Sequence, residues 1–218
     1  MFNINQVTYK YKNSESNVLK GVSAEFSAGK LHSIVGPSGS GKTTLLSIMA
    51  GLDQPSGGEV SIDGDSLSNM DLDQYRRERI SMIFQAFQLF PMLTALENVC
   101  TPMLLNGEDK SISTLKAKEI LESVGIDKTK HKRHPSNLSG GEQQRVAIAR
   151  SLTSGAKVIL ADEPTGNLDE ANGNAVMAIL KELAHEKGYC VIVVTHNPEI
   201  AEASDVVYRM SEGLLVKQ

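Results

Sequence analysis

The chain has 218 residues, of which 40% are hydrophobic, so it is long enough for one large domain with a substantial core. Its formal net charge of −4 argues against a general nucleic-acid-binding protein, because such proteins present a basic face to the phosphate backbone. No apolar run approaches the ~18 residues that span a bilayer, and the N-terminus lacks a signal-peptide core, so we expect a protein that is soluble by itself and cytoplasmic.

Polar and apolar residues alternate at 7–11 and 22–26, which predicts half-exposed antiparallel strands near the N-terminus. Tyr11 lies at the end of the first strand. Its ring could stack on a nucleotide base, although an ordinary half-buried strand aromatic is the alternative that the pattern favours. Tyr9 is a rival candidate, since alternation places it on the same side.

An apolar strand at 31–35 leads directly into GPSGSGKT, residues 36–43, and a predicted helix at 44–50. This strand–loop–helix order is typical of a P-loop. Its glycines let backbone N–H groups surround phosphates, its lysine reaches the outer phosphates, and its hydroxyl can bind Mg²⁺. The candidate nucleotide-binding residues here are Gly36, Ser38, Gly39, Ser40, Gly41, Lys42, Thr43 and Thr44.

A turn, strand and turn are predicted at 55–64, and a buried strand at 80–84. Gln85 follows that strand, where the pattern changes to helical. Its amide can contact Mg²⁺ or water and sense the position of the helical region, or it can be a plain polar linker residue.

The helical region extends from 87 to 151, with apolar residues at helical spacing in 93–105 and 115–124 and a polar connector at 127–137. We therefore expect a helical subdomain, inserted into a nucleotide-binding α/β core. The predicted boundaries are 87–151 for the subdomain, and 1–86 with 152–218 for the core.

The segment NLSGGEQQRVAIAR, 137–150, predicts a helix that begins with an unusual turn. Ser139 and Glu142 form the S-x-x-E pattern of a capping box. Gly140 and Gly141 lie between them, where glycine has low helix propensity. Because a helix start without side chains leaves its N–H groups accessible, this segment predicts a second anion-binding element.

A further apolar run, 158–161, ends in Asp162 and Glu163. If this strand lies beside the P-loop strand, Asp162 can hold Mg²⁺ and Glu163 can act as the general base that polarises the attacking water. By itself the motif favours two solvated acids at a strand end, but its combination with the P-loop favours the catalytic interpretation.

The last apolar run, 191–194, leads to His196, which either hydrogen-bonds the γ-phosphate or is a surface residue. Asn197 and Pro198 predict the N-cap and first position of another helix.

These motifs, in this order, resemble those of the ATP-binding cassette (ABC) ATPases over nearly the whole chain, and LSGGEQQR, 138–145, is similar to that family's signature sequence. The resemblance implies an α/β P-loop NTPase fold, with a RecA-like parallel sheet, an N-terminal antiparallel β region and an inserted α-helical subdomain. It identifies Tyr11 with the A-loop, Gln85 with the Q-loop, His196 with the switch and 166–169 with the D-loop.

The same resemblance implies ATP and Mg²⁺ as cofactors and a head-to-tail dimer of two copies. The residues implied as catalytic are Glu163, His196, Lys42 and Gln85, and those implied as metal ligands are Thr43, Gln85 and Asp162. The residues implied to contact nucleotide held by the other copy are Ser139, Gly140, Gly141, Glu142 and Asp169.

LTALENV, 93–99, and the short length are similar to the lipoprotein-releasing (LolD-like) and macrolide-export (MacB-like) subgroup, to which the cell-division ATPase FtsE is a near relative. This implies export powered at the inner face of the membrane, through separate transmembrane permease subunits and with a periplasmic or extracellular adaptor as a further partner. Force transmission without transport, as in FtsE, is the alternative. A soluble ABC ATPase acting on nucleic acid or ribosomes is disfavoured by the acidic charge.

The apolar residues that either edge a partner-binding groove or pack in the subdomain core are Phe87, Leu89, Phe90 and Leu93.

Overall fold

The computed structural model describes residues 1–12 and 16–218. Along these residues the strands and helices are β1 (Phe2–Tyr9), β2 (Leu19–Phe26), β3 (Lys30–Val35), α1 (Lys42–Met49), β4 (Gly57–Ile62), β5 (Asp65–Ser66), α2 (Leu72–Glu78), β6 (Ile80–Ile83), α3 (Ala95–Leu105), α4 (Lys110–Ser123), α5 (Gly140–Ser151), β7 (Val158–Asp162), α6 (Glu170–His185), β8 (Cys190–Thr195), α7 (Pro198–Glu202), β9 (Val206–Ser211) and β10 (Leu214–Lys217).

Two sheets form within the described residues. A four-stranded antiparallel sheet has the order β2-β1-β4-β5, and a six-stranded sheet has the order β10-β9-β3-β8-β7-β6. In the second sheet β10 is antiparallel to β9 and the other pairs are parallel, which confirms the predicted α/β fold. Because β3, β7 and β8 are parallel, their carboxyl ends meet at one edge, where parallel sheets bind ligands.

The six-stranded sheet separates two hydrophobic cores. Leu160 and Ile192 face the N-terminal sheet and α1, whereas the neighbouring Ile159 and Val191 face the helices α3 to α6. Successive side chains of a strand point to opposite faces, so runs that are apolar throughout can fill both cores. Full burial of each large aliphatic side chain contributes about 1.5–3 kcal/mol, so the helical region is anchored to the sheet by a shared core.

The structure extends or shortens several predicted elements. The first strand ends at Tyr9, the last of its residues that pairs with β2, and Tyr11 lies beyond the strand. Helix α4 begins at Lys110 rather than near 115, because the Asp109 carboxylate accepts hydrogen bonds from Ser111 N and Ile112 N. The connector 127–137 contains short 3₁₀ turns. In the described part of the chain, no helix is long and apolar enough to cross a bilayer.

Candidate functional site

The loop between β3 and α1 has the geometry of a phosphate-binding loop. Gly41, the N-cap of α1, has a φ of 108°, a left-handed conformation that favours glycine, and it provides no side chain to cap the helix. At Gly36 a Cβ atom would lie 2.1 Å from the Met210 carbonyl oxygen, so only glycine fits against β9. The free N–H groups at the start of α1 are therefore available to an anion.

Lys42 and Ser40 point polar groups into this loop. The buried Lys42 side chain donates from Nζ to the carbonyl oxygens of Gly36, at 2.8 Å, and Pro37, at 3.0 Å. The Ser40 hydroxyl is buried and has no hydrogen-bond partner among the described residues. A buried hydroxyl without a partner is costly. The backbone at the start of α1 and the lysine ammonium group fit a triphosphate, whereas Ser40 is not among the residues that line the cleft beside this loop.

A cleft of about 410 Å³ brings most of the predicted nucleotide-site residues together. Tyr11 lies at this cleft with 49% of its surface exposed, and its hydroxyl is 2.9 Å from Thr44 Oγ1. Its ring contacts that of Tyr9 edge to face, with centroids 5.0 Å apart. The expectation that Tyr11 is a strand aromatic is thus wrong. The residues that line the cleft are Tyr11, Val18, Ser38, Gly39, Gly41, Lys42, Thr43, Thr44, Asp162, Glu163 and Val194.

Asp162 and Thr43 form the part of the cleft that suits Mg²⁺. Burial and the neighbouring Glu163 raise the pKa of the Asp162 carboxyl, while Lys42 acts in the opposite direction. A hard cation on the carboxylate and hydroxyl oxygens would relieve this crowding of negative charge, so the two residues fit a magnesium ion.

Gln85, the third predicted metal ligand, lies elsewhere. Gln85 Nε2 donates to Asn167 Oδ1 at 3.3 Å, and Asn167 Nδ2 donates to the Gln85 carbonyl oxygen at 3.0 Å. Gln85 is not among the residues that line the cleft. The structure therefore joins the Q-loop to the segment 166–169 and does not bring Gln85 to Thr43 and Asp162, because the side chain is bonded to Asn167.

Glu163 has the most constrained carboxylate of the cleft. His196 Nδ1 donates to Oε1 at 2.7 Å, and Thr195 Oγ1 donates to Oε2 at 2.9 Å. The backbone of Glu163 has a φ of 46°, which turns the chain sharply after β7. Two side chains at the end of β8 thus orient this carboxylate, as required of a general base. Sequence reasoning missed Thr195, although it directly precedes His196.

The start of α5 confirms the predicted capping box. Ser139 Oγ accepts from Glu142 N at 3.3 Å, and Glu142 Oε2 accepts from Ser139 N at 2.9 Å. Ser139 is exposed, whereas the Glu142 carboxylate is turned back onto its own helix. Neither residue lines the cleft at the P-loop. Within one copy, therefore, the two predicted anion-binding elements do not share a pocket.

The two glycines of this helix start have different roles. A Cβ atom on Gly140 would have its nearest neighbour, Leu168 Cδ2, at 3.5 Å, which is ordinary contact. A Cβ atom on the buried Gly141 would lie 2.0 Å from Asn172 Oδ1, so glycine is needed there for α6 to approach. Only Gly140 keeps the helix tip open, which corrects the expectation that both glycines do so.

Asn172 connects the tip of α5 to the predicted D-loop residue Asp169. Asp169 Oδ1 accepts from Asn172 N at 2.9 Å, and Asn172 Nδ2 donates to Asp169 Oδ2 at 2.8 Å, so Asp169 caps α6. These bonds lower the pKa of the Asp169 carboxyl. Arg145 Nη1 also donates to Asn172 Oδ1, at 3.5 Å. Sequence reasoning missed Asn172, because its contacts with Gly141 and Arg145 are made with a separate helix, α5.

The segment after Gln85 borders a second cavity, an apolar groove of about 450 Å³. Asn98, buried in α3, accepts from Phe90 N at 2.8 Å and donates to the Phe90 and Leu93 carbonyl oxygens, both at 3.1 Å. Phe90 lines the groove and is 50% exposed, whereas Leu89 packs against the helical core. Phe90 therefore lies at the edge of a groove and Leu89 belongs to the helical core, while partner binding at the groove stays a prediction.

The arrangement matches known proteins over the whole chain. A family model described as ABC transporter matches residues 19–166. The lipoprotein-releasing system ATP-binding protein LolD 2 of Rhodopirellula baltica is 43% identical over 217 residues, covering 95% of this chain and 85% of that protein. The macrolide export ATP-binding/permease protein MacB of Escherichia coli is 42% identical, covering 96% of this chain but 33% of that protein.

Solved structures agree with these sequence comparisons. The dimeric structure of MJ0796, described as a bacterial ABC transporter cassette, has a TM-score of 0.90 and 39% identity, and covers 100% of this chain and 98% of that one. A second MJ0796 structure, described as a dimeric post-hydrolysis state bound to ADP and Pi, has a TM-score of 0.90, 38% identity and the same coverage.

Proposed function

The chain belongs to the ABC transporter family, and we propose that two copies of it bind and hydrolyse ATP at shared sites to power export through separate membrane subunits. The proposed ATP site in each copy is the cleft at the P-loop. There Tyr11 would stack on the adenine ring, and Lys42 would contact the outer phosphates. Thr43 and Asp162 are the proposed ligands of Mg²⁺, which when bound neutralises charge on the phosphates.

One observation carries the two-copy proposal: the open tip of α5 lies outside the cleft that holds the P-loop of the same chain. A helix tip with a free N–H end attracts a phosphate, yet this one does not border the phosphate-binding loop of its own copy. Head-to-tail packing of two copies would bring Ser139 and Gly140 to the γ-phosphate held by the partner. The dimeric form of MJ0796, which is similar along its whole length, supports this arrangement.

The chemistry follows from the orientation of Glu163. Its carboxylate, held by Thr195 and His196, would accept a proton from the water that attacks the γ-phosphorus. Lys42 and the loop N–H groups would stabilise the charge that moves onto the phosphate oxygens. Loss of the γ-phosphate would remove the anion that the two copies share, so hydrolysis would reopen the dimer.

The decisive experiment is Glu163→Gln, which keeps the size of the side chain but removes the base. We expect hydrolysis to fall ~10²–10⁴-fold with ATP still bound. In light scattering after gel filtration, this variant should be a dimer in MgATP and a monomer in MgADP. Glu119→Gln, an exposed change on α4, is the control and should behave as the wild type. Wild-type turnover would rule out Glu163 as the base, and a monomer in MgATP would rule out the shared site.

Export is the favoured role, because the relatives include a lipoprotein-releasing and a macrolide-export protein. The apolar groove beside Phe90 is the proposed docking site for a cytoplasmic helix of the membrane subunit, which would place this chain at the inner face of the membrane. A periplasmic or extracellular adaptor would complete the assembly. Substrate flux in vesicles reconstituted with both subunits separates export from force transmission, which would hydrolyse ATP without flux.

A further inference from the structure

A lysine from the polar connector is paired with the capping carboxylate at the tip of α5. Lys130 Nζ donates to Glu142 Oε1, and the two side chains are 33% and 12% exposed. This bond and the hydrogen bond from Ser139 N lower the pKa of the Glu142 carboxyl, with Arg145 contributing. Each Glu142 oxygen thus has its own partner, Lys130 for one and the backbone of Ser139 for the other.

We propose that Lys130 is a positioning residue for the ATP held by the other copy: it neutralises Glu142, so that the tip of α5 can receive a phosphate. The proposal rests on the two-copy function above. Glu142 is bonded to the backbone of Ser139, whose hydroxyl is proposed to meet the γ-phosphate. A carboxylate this close and without a counter-ion would repel a triphosphate and offset the partial positive charge of the helix end.

The backbone around Lys130 is fixed, so its ammonium group is held in place. Lys130 ends the 3₁₀ turn Lys128–Lys130, and the carbonyl oxygens of the next residues bind the start of α3. Leu96 N donates to the His131 carbonyl oxygen at 2.9 Å, and Ala95 N donates to the Arg133 carbonyl oxygen at 2.8 Å. Helix α3 begins directly after the segment that borders the apolar groove. The Lys130 loop therefore connects the groove side of the molecule to the tip of α5.

The test uses Glu163→Gln as background, in which ATP-bound dimers accumulate, and measures the ATP concentration that gives half-maximal dimer. Adding Lys130→Met should raise this concentration about tenfold, the effect of ~1.4 kcal/mol. Lys130→Arg should restore the background value. Glu142→Gln should lower the value, because the amide oxygen still caps Ser139 while the lysine keeps its positive charge. Combining Lys130→Met with Glu142→Gln should return the value close to background.

These signs distinguish charge neutralisation from a merely structural ion pair. If the pair only stabilised the fold, Lys130→Met and Glu142→Gln would both weaken the dimer, in proportion to a loss of Tm. That result, or an unchanged value for Lys130→Met, would overturn the role of Lys130 while leaving the two-copy function intact. If the background variant itself failed to dimerise with ATP, the two-copy function and this inference would both fall.

Discussion

At the scale of single residues, adjacent acids at the end of β7 have different environments. Glu163 is hydrogen-bonded on both oxygens by Thr195 and His196, whereas burial and the charge of Glu163 raise the pKa of Asp162. Asp162 therefore costs stability in the protein without ligand, and a bound cation would recover that cost. Functional sites often contain groups that lower the stability of the folded protein in this way.

Asp162→Asn should raise Tm in the absence of Mg²⁺ and abolish hydrolysis. A carboxyl with a raised folded pKa loses stability as pH increases from its unfolded pKa, near ~3.9, through its folded pKa. The gain in Tm should therefore be complete at pH 7 and shrink in acid, which calorimetry across pH can measure.

Asp63→Asn is the matched control for this prediction. Hydrogen bonds from the N-terminal amine and Arg79 lower the pKa of the Asp63 carboxyl, with the amine as the largest cause. Its removal should lower Tm slightly at pH 7, the opposite sign. An equal fall in Tm for both variants would contradict the environment assigned to Asp162.

The candidate site was predictable where one short segment contains the whole pattern, as in the P-loop. Thr195, Asn172 and Lys130 do not stand out in the sequence, because each contacts a residue of another element: the end of β7 for Thr195, and α5 for Asn172 and Lys130. Their contacts depend on which strands and helices are neighbours in space. Gln85 is a different case. Its position in the sequence predicts a metal ligand, but its amide is directed to Asn167 by a hydrogen bond.

At the scale of elements, the start of α5 combines an open tip with a tightly packed first turn. Gly140 has room for a Cβ atom at ordinary contact distance, whereas Gly141 contacts Asn172, which in turn binds Asp169 and Arg145. The same helix turn therefore serves two purposes: ligand access on one side and the approach of α6 on the other.

Gly141→Ala and Gly140→Ala should separate these purposes. The methyl group of Gly141→Ala would displace Asn172, and overpacking of this kind costs ~1–3 kcal/mol, so Tm should fall. Gly140→Ala should keep or raise Tm, because alanine favours the helix by ~0.5–1 kcal/mol, yet it should reduce ATP-dependent dimerisation if the tip meets a phosphate. Thermal melts and light scattering test both. A fall in Tm for Gly140→Ala would contradict the open tip.

The elements that the sequence predicted are those with strong periodicity. The buried strands of the six-stranded sheet are apolar runs in the sequence. Strand β9 is partly exposed, and it belongs to the sheet through its pairing with β3 and β10. Helix α4 was predicted to begin too late, because its first turn is polar and depends on the Asp109 cap. The sequence also contains a pattern that indicates helix α6, because Val176, Leu180 and Leu183 have helical spacing on its buried face.

At the scale of the whole molecule, the segment from Gln85 to Leu93 contacts both the D-loop and the groove. Gln85 bonds Asn167, Arg150 donates to the carbonyl oxygens of Phe87 and Gln88, and Asn98 binds Phe90. A change in the groove can therefore reach the proposed dimer face through direct bonds. We propose these bonds as the route by which hydrolysis would be coupled to a membrane subunit.

The proposed dimer predicts how stability depends on concentration. For Glu163→Gln in saturating MgATP, Tm should rise with protein concentration, because association stabilises the folded state by mass action. In saturating MgADP, Tm should be the same at every protein concentration, since the shared γ-phosphate is missing. Calorimetry over a hundredfold range of protein, about two decades, would measure this, and a Tm independent of protein concentration in MgATP would contradict the dimer.

The position of β3 has a consequence for synthesis of the chain. This strand carries the P-loop, yet both of its neighbours in the sheet, β8 and β9, are translated more than a hundred residues later. Both edges of β3 stay unpaired until β8 has left the ribosome, and one edge stays unpaired until β9 has followed, a form prone to aggregation. We therefore expect nascent chains to depend on chaperones and to acquire nucleotide affinity only after β9 has left the ribosome.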